Sequence, residues 1–276
     1  MIDGHQTVLI SFADPGFVTA QRHNTWTGKY LGRFDRVIAY APGDIDHNFF
    51  ETYRDILEMK RGAGEWLWKP YFILRTLEEM NTGDYLFYCD AGAMMLRPCR
   101  LLFNSMKDCD LWVSDIPLIE RQWTKPLVIR RLGVSGREEI INSNQIQGGF
   151  IGVRKSPSSM EFIKEWLSLC CDRELLLPLS PEEEKGDCLA HREDQSILSV
   201  LCKRSRIRPH RDPTQFGRIP EKYRGWEAEY KVPSHPEDEY PTLILLHRSG
   251  NCDAKVVLRQ WLNIVLPKRL VRQMIR

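Results

Sequence analysis

Residues 62 to 92 constrain the fold more than any other stretch of this chain. Near its start the segment reads Gly-Glu-Trp-Leu-Trp-Lys-Pro-Tyr, and it closes on Tyr-Leu-Phe-Tyr-Cys-Asp-Ala-Gly. Between these lie Ile73, Leu74, Leu77 and Met80 at helical spacing, stopped by Asn81-Thr82-Gly83. The apolar run that follows ends in a single acid, Asp90. A helix feeding a buried strand is the repeating unit of an α/β sheet, and ligands collect outside the carboxyl ends of such strands. An acid at that position must be paired, bound to a cation or used to cap the next turn. All three roles stay open to Asp90 at this point.

The rest of the chain supplies the sheet. Thr7 to Phe12 is an apolar run broken by Asp14-Pro15-Gly16, which predicts a first strand that delivers Ala13 and Asp14 to a ligand site. A helical stretch from about Phe17 to Tyr30 leads to a second strand at Arg36 to Tyr40. Strand, helix, strand in that order predicts an α/β fold with a mostly parallel central sheet flanked by helices. Asp46 to Met59 and Cys99 to Met106 read as helical, and Leu111 to Ser114 as a strand ending at Asp115. From Ile116 to Asn142 no period is sustained, so a long connection with a short helix is expected there. Gln147 to Val153 reads as a glycine-punctuated strand, and Ser156-Pro157 opens a helix with Phe162, Ile163 and Trp166 on its buried face. Residues 172 to 190 read as a solvated loop. Asp194 heads a further short helix, as its cap or as a chemical group. Residues 205 to 241 are expected to wrap the surface, and Leu243 to Leu246 forms a last buried strand that delivers His247.

The predicted organisation is one domain over residues 1–253 and a basic, helical tail over 254–276. From Ala254 onward the chain carries no acid, while Lys255, Arg259, Lys268 and Arg269 interleave with Leu258, Trp261 and Leu270. Such a tail packs as terminal helices or makes a peripheral contact with an anionic membrane face. With 39 Lys plus Arg against 37 Asp plus Glu, the chain gives no reason to expect a nucleic-acid partner. Its eight Cys form no Cys-x-x-Cys pair, which argues against a zinc module and for reduced thiols, with a cytoplasmic location as the expectation. No run approaches the ~20 apolar residues of a membrane span. The P-loop, the Gly-x-Gly-x-x-Gly fingerprint and the nucleophile elbow are all missing from the sequence.

Two strand ends therefore carry the chemistry. Asp90 and His247 offer a carboxylate and an imidazole, a combination that suits Mn²⁺ better than Mg²⁺ alone. Lys69, between Trp68 and Pro70 and near Trp66, offers an ammonium beside aromatic faces, suited to a diphosphate or a sugar ring. It would equally serve as a lysine laid over core aromatics.

The order of these pieces resembles the nucleotide-sugar glycosyltransferases of the GT-A fold, in particular the glycogenin and lipopolysaccharide galactosyltransferase group and the bacterial capsule transferases. Tyr88-Cys89-Asp90-Ala91-Gly92 resembles that family's Tyr-Leu-Asp-Ala-Asp, with Asp90 at the first acid of the DXD motif and Gly92 at the second. Gln147-Gly148-Gly149 is similar to its Asn-Ala-Gly, Asp194-Gln195 to its Asp-Gln, and His247-Arg248-Ser249-Gly250 to its His-x-x-Gly. The resemblance implies a nucleotide diphosphate sugar donor and a carbohydrate acceptor of polysaccharide or lipopolysaccharide type. The donor would occupy the half up to about residue 115, the acceptor the half from 116 to 253. It implies that Phe12, Ala13 and Asp14 meet the base and ribose, and that Asp90 and His247 hold Mn²⁺ or Mg²⁺ on the diphosphate. Lys69, Arg248 and Lys255 would add positive charge there, while Ala91, Gly92, Gln147, Gly148 and Gly149 line the donor. Asp194 and Gln195 would flank the anomeric carbon, with retained configuration. Inversion would instead use Asp194 or Asp115 as base. Trp123, Lys125 and His191 fall on the acceptor side. A nucleotidyltransferase is the runner-up enzyme class, and a non-catalytic carbohydrate-binding module is the other alternative, made plausible by Gly92.

Overall fold

Thr7–Phe12 (β1) is buried along its whole length, and it lies second in a five-stranded sheet. In this computed structural model, residues 1–106, 109–183, 185–223, 228–236 and 240–275 are described. The strands in chain order are β2 (Arg36–Tyr40), β3 (Tyr85–Cys89), β4 (Ala93–Met95), β5 (Leu111–Trp112), β6 (Asp115–Ile119), β7 (Asn144–Ile146), β8 (Phe150–Arg154) and β9 (Ile244–Leu246). The main sheet has the order β2-β1-β3-β8-β5. β1 pairs parallel with both β2 and β3, while β8 pairs antiparallel with β3 and β5. The mostly parallel sheet expected from the sequence is thus a mixed one, with β8 the single reversed strand. Reversal is what brings the residues just before β8 beside the carboxyl end of β3.

Alternation along the strands splits the core into two layers. Val8, Ile10, Leu86, Tyr88, Ile151 and Val153 face one way, against Phe72, Ile73 and Leu77 of α2 (Trp68–Glu79), Phe162, Ile163 and Trp166 of α3 (Pro157–Cys170), and Leu198 and Leu201 of α4 (Glu193–Arg204). Leu9, Phe87 and Cys89 face the other way, against Phe34, Phe103, Ala93, Ile244 and Leu246. The helix α1 (Val18–Tyr30) packs on β1 through Gly28, where a Cβ would sit 2.1 Å from Leu9 Cδ2.

Two small sheets complete the frame. β4 pairs antiparallel with β9, with Ala93 opposite Leu246, and this ladder holds His247 beside the β3 end. β6 pairs antiparallel with β7, with Asp115 opposite Ile146 and Ile119 opposite Asn144. The segment read from sequence as a long connection is therefore framed by two strands, with short helices at Glu120–Trp123, Pro126–Arg131 and Glu138–Ile141 between them. Residues 205 to 241 do more than wrap the surface, because His210, Asp212, Thr214 and Gln215 are buried. Likewise Gln147-Gly148-Gly149 precedes β8 as a connection instead of lying within the strand.

The tail forms α5 (Ala254–Val265) and α6 (Lys268–Ile275). Arg218 donates to the carbonyls of Asn263, Ile264 and Leu266, satisfying the unpaired end of α5. One face therefore packs, while Leu258, Trp261, Val265 and Leu270 stay exposed. Among the described residues no helix is long and apolar enough to cross a membrane.

Candidate active site

The carboxyl ends of β1 and β3 open into a cleft of about 390 Å³. Phe12, Ala13, Asp14, Asp90, Ala91, Gly92 and Arg248, all expected from the sequence at the donor site, line it together with Trp66, Trp68 and Tyr88. Phe12 lies flat on Trp68, with ring centroids 3.9 Å apart and an interplanar angle of 19°. Trp68 is fixed in turn by a 2.8 Å hydrogen bond from its indole nitrogen to the Gly62 carbonyl. The result is a rigid aromatic wall.

The turn before α2 is left-handed over five consecutive residues, with φ of +56° at Gly62, +51° at Ala63, +99° at Gly64, +50° at Glu65 and +59° at Trp66. Each of the three that carry a Cβ costs roughly 1–2 kcal/mol in this conformation. Such strain is held where surrounding packing over-determines it, and it clusters at ligand sites. Here it turns Trp66 onto the cleft.

Asp90 is fixed from three sides. Its backbone N–H donates to the Gly149 carbonyl at 2.9 Å, and the amide of the fully buried Asn24 on α1 donates to the carbonyls of Asp90 and Ala93 at 3.3 and 3.0 Å. The Tyr88 hydroxyl donates to Asp90 Oδ1 at 2.5 Å. Burial, followed by the charge of Asp90, holds the Tyr88 hydroxyl well above its ordinary pKa, so it stays a donor. Tyr88 is two residues before Asp90, on the same side of an extended chain, and that period was the available sequence signal for it.

Beside Asp90 sits a buried ion pair. Lys69 Nζ lies 2.7 Å from Asp194 Oδ2, and the two residues are only 4% and 3% exposed. Burial opposes the lysine's charge, yet Asp194 and then Asp90 hold its pKa above the usual lysine value. Burial pushes Asp194 up to about 6, with Lys69 pulling it down and Asp90 pushing it up. Asp194 thus does not cap α4, which has no side-chain cap; it faces Lys69 from the helix's first turn. Gln195 accepts from the Gly148 N–H at 3.0 Å and donates to Gln145 Oε1 at 2.8 Å.

The glycines before β8 allow this approach. A Cβ on Gly148 would come within 3.3 Å of both Lys69 Nζ and Asp194 Oδ2, and one on Gly149 within 2.9 Å of Asp90 Oδ2. Backbone therefore borders all three charged groups, and the two halves of the sequence motif order meet at one point. Gln147 points elsewhere, donating to Ser114 Oγ at 2.6 Å.

A divalent cation would have to draw on Asp90 and His247, which lie at adjoining ends of the β4–β9 ladder. His247 is buried, and its Nδ1 accepts from the Ser249 N–H at 3.1 Å, which puts its proton on Nε2, 3.8 Å from Cys252 Sγ. Burial and the nearby His23 lower its pKa to about 4, so the ring is neutral at pH 7, with no nitrogen lone pair free for a metal. Among the described residues no group of three or more His, Cys, Asp or Glu side chains converges as a metal centre. The donor set as arranged does not fit a divalent cation.

Lys69, Asp194, Gln195, His247 and the residues 147–149 lie behind Asp90 without lining the cleft, and the remaining candidates lie farther off. Asp115 pairs with His235 at 2.7 Å beside a small adjoining cavity that also meets Asp212, Phe216 and Tyr223. Lys255 is exposed at the start of α5. Lys125 is 1% exposed, with its ammonium 3.0 Å from the Leu177 carbonyl and 3.1 Å from Glu183. His191 is 3% exposed and joins Leu175 O at 2.9 Å. Both are packed internally, with their polar atoms held by protein groups. Trp123 is buried beneath the Arg192 guanidinium, 4.4 Å from its ring centroid. Sequence reasoning missed the left-handed turn and Asn24, neither of which carries a local pattern.

No protein-family model and no curated protein matches the chain. Solved structures similar to it include mouse xyloside xylosyltransferase 1 in its apo form, at 9% identity and a TM-score of 0.47, covering 95% of this chain and 99% of that one. Another is the galactosyltransferase LgtC with donor and acceptor sugar analogues, at 10% identity and 0.45, covering 95% and 98%. A third is the glycosyltransferase GlyE of Streptococcus pneumoniae TIGR4, at 12% identity and 0.44, covering 97% of this chain and 62% of that one.

Proposed function

We propose that this chain is a glycosyltransferase that moves a sugar from a nucleotide diphosphate sugar to a carbohydrate acceptor. The observation that carries the reading is the desolvated Lys69–Asp194 pair set against Asp90 and closed by Gly148, Gly149 and Gln195. Glycosyl transfer needs stabilisation of the departing phosphate, donors and acceptors that hold the sugar hydroxyls, and exclusion of water. The aromatic wall of Phe12 and Trp68 offers a flat face beside Asp14 for the base and ribose. Asp90 and the backbone before β8 then orient the sugar, and Asp194 and Gln195 flank its anomeric carbon. In the reaction the bond from that carbon to the diphosphate oxygen breaks, the acceptor hydroxyl oxygen takes its place, and the hydroxyl proton leaves with the diphosphate.

The engagement of the acids supports a reading with retention of configuration. An inverting enzyme needs a carboxylate free to take the acceptor proton from the opposite face. Asp194 is committed to Lys69 and Asp115 to His235. The exposed Leu258, Trp261 and Val265 among basic residues further suit α5 to an anionic membrane face, which co-sedimentation with vesicles containing phosphatidylglycerol would show. The central test is release of nucleoside diphosphate from a panel of UDP-, GDP- and ADP-sugars. One donor is expected to turn over slowly in water and faster with an oligosaccharide acceptor. Binding of a sugar nucleotide with no turnover under either condition would select the non-catalytic alternative.

A further inference from the structure

We propose that this chain neutralises the departing diphosphate with the guanidinium of Arg248 and binds its nucleotide without a divalent cation, an inference that rests on the donor reading above. The argument starts at Gly92, where the resemblance leads one to expect a second acid. Its backbone does not occupy the left-handed region, so conformation is not what requires a glycine there. Close approach is. A Cβ on Gly92 would come 3.0 Å from Arg248 Cα and 3.4 Å from Arg248 N, and the Gly92 carbonyl accepts from both the His247 and the Arg248 N–H at 2.9 Å. Restoring an acid would force the Arg248 backbone to move. The missing carboxylate and the placement of Arg248 are thus one arrangement.

Arg248 is itself held at φ +56°, a conformation disfavoured for any residue with a Cβ and concentrated at functional sites. It lines the cleft next to Asp90, with its guanidinium 5.5 Å from the Phe216 ring centroid. The Tyr223 hydroxyl and the Asp212 carboxylate are also within its electrostatic reach. A second guanidinium, that of Arg192, stands close by. Its pKa is lowered to about 10, by burial and in part by the charge of Arg248. The guanidinium of Arg248 at the cleft wall, with the charge of Arg192 felt behind it, suits an anion with several oxygens, because the planar fork binds phosphate through paired N–H donors. His247, whose Nδ1 accepts from a backbone N–H, then serves to shape the turn that carries Arg248.

Calorimetric titration with UDP, GDP and ADP, each in chelator and in Mn²⁺, tests this. One of the three is expected to bind in chelator with an affinity that Mn²⁺ leaves unchanged. Arg248→Ala should weaken that diphosphate about tenfold to a hundredfold while the matching nucleoside binds as before, and Arg248→Lys should recover part of the loss. Arg248→Gln, which keeps most of the stem, provides the same reading if the alanine variant does not fold. Binding that appears only with Mn²⁺, or an Arg248→Gln affinity equal to wild type, would overturn the inference and leave the glycosyltransferase reading intact. If no nucleotide binds under any condition, the glycosyltransferase reading itself fails.

Discussion

The helix α4 carries a buried ion pair at each end, and the two are built differently. At its last turn Lys203 reaches Glu120, which is fully buried and also accepts from Ser199 and Thr124, with the Gln145 amide at 3.5 Å. At its first turn Asp194 faces Lys69, and no further hydrogen bond closes on that carboxylate oxygen among the described residues. Both carboxylates lose their water, but Glu120 has that cost offset by four side chains spread over its two oxygens, whereas Asp194 has the Lys69 ammonium and the Gln195 backbone N–H. A saturated carboxylate holds elements together, here α4 to the β6–β7 side of the molecule. A carboxylate held chiefly by one ammonium, next to Asp90 at the cleft, is the one placed to position a ligand.

The comparison predicts that the two pairs fail in opposite ways. Glu120→Ala should give the largest effect on folding, about 3–5 kcal/mol of lost stability, because it strands Lys203 and three polar neighbours in the interior. Urea titration measures it. A loss below about 1 kcal/mol would mean that the Glu120 cluster is not the structural anchor described.

Asp194→Asn should do the reverse. It preserves shape and leaves Asp90 to balance the buried Lys69 charge, so folding should suffer less than in Glu120→Ala, while turnover of the nucleotide sugar should fall by roughly a hundredfold to a thousandfold, equivalent to about 2.7–4 kcal/mol. If this variant loses stability as Glu120→Ala does and keeps its turnover per folded molecule, the functional assignment of the α4 start is wrong. Lys69→Met comes next, with an expected loss of about 1.5–3 kcal/mol in donor binding, read by the same titration used for nucleotides. Unchanged affinity would return Lys69 to packing beneath the Trp68 and Tyr88 rings, 5.9 and 5.4 Å away.

The same contrast explains what could be read from the sequence. β1, α1 and β2 are legible because their boundaries are marked chemically, by Asp14-Pro15-Gly16 and by Ala41-Pro42-Gly43. Asp90, Asp194 and the Gly148-Gly149 pair are legible as an ordered set, although they lie far apart in the chain and meet only because β8 reverses direction. β6 and β7 are not legible. Each is short, Pro117 interrupts the first, and their pairing joins residues some thirty positions apart with no local signal. The left-handed turn at 62 to 66 is equally silent, because Ala63, Glu65 and Trp66 have no intrinsic preference for positive φ. The burial of Lys125 and His191 is silent for a related reason: polar residues in unpatterned segments look exposed, and only the fold brings the two together.

His191 supplies the smallest effect and the last test of the comparison, since it lies just before the α4 start and is internally satisfied like Glu120. Burial and then the charge of Lys125 lower its pKa from 6.5 to about 3. The unfolded chain therefore takes up a proton on this ring between pH 6.5 and 3 and the folded chain does not, so stability is complete above about 6.5 and falls as the pH drops. Each such group contributes a slope approaching about 1.4 kcal/mol per pH unit once the pH is well below 6.5. Between pH 7 and 5.5 the loss from His191 is accordingly about 1 kcal/mol. His247, lowered to about 4, adds in the same direction. Denaturant midpoints at the two pH values, for wild type and His191→Gln, measure the difference. A pH dependence that His191→Gln leaves unchanged would show that the ring is protonated in the folded chain, and the structural character assigned to this part of the molecule would have to be withdrawn.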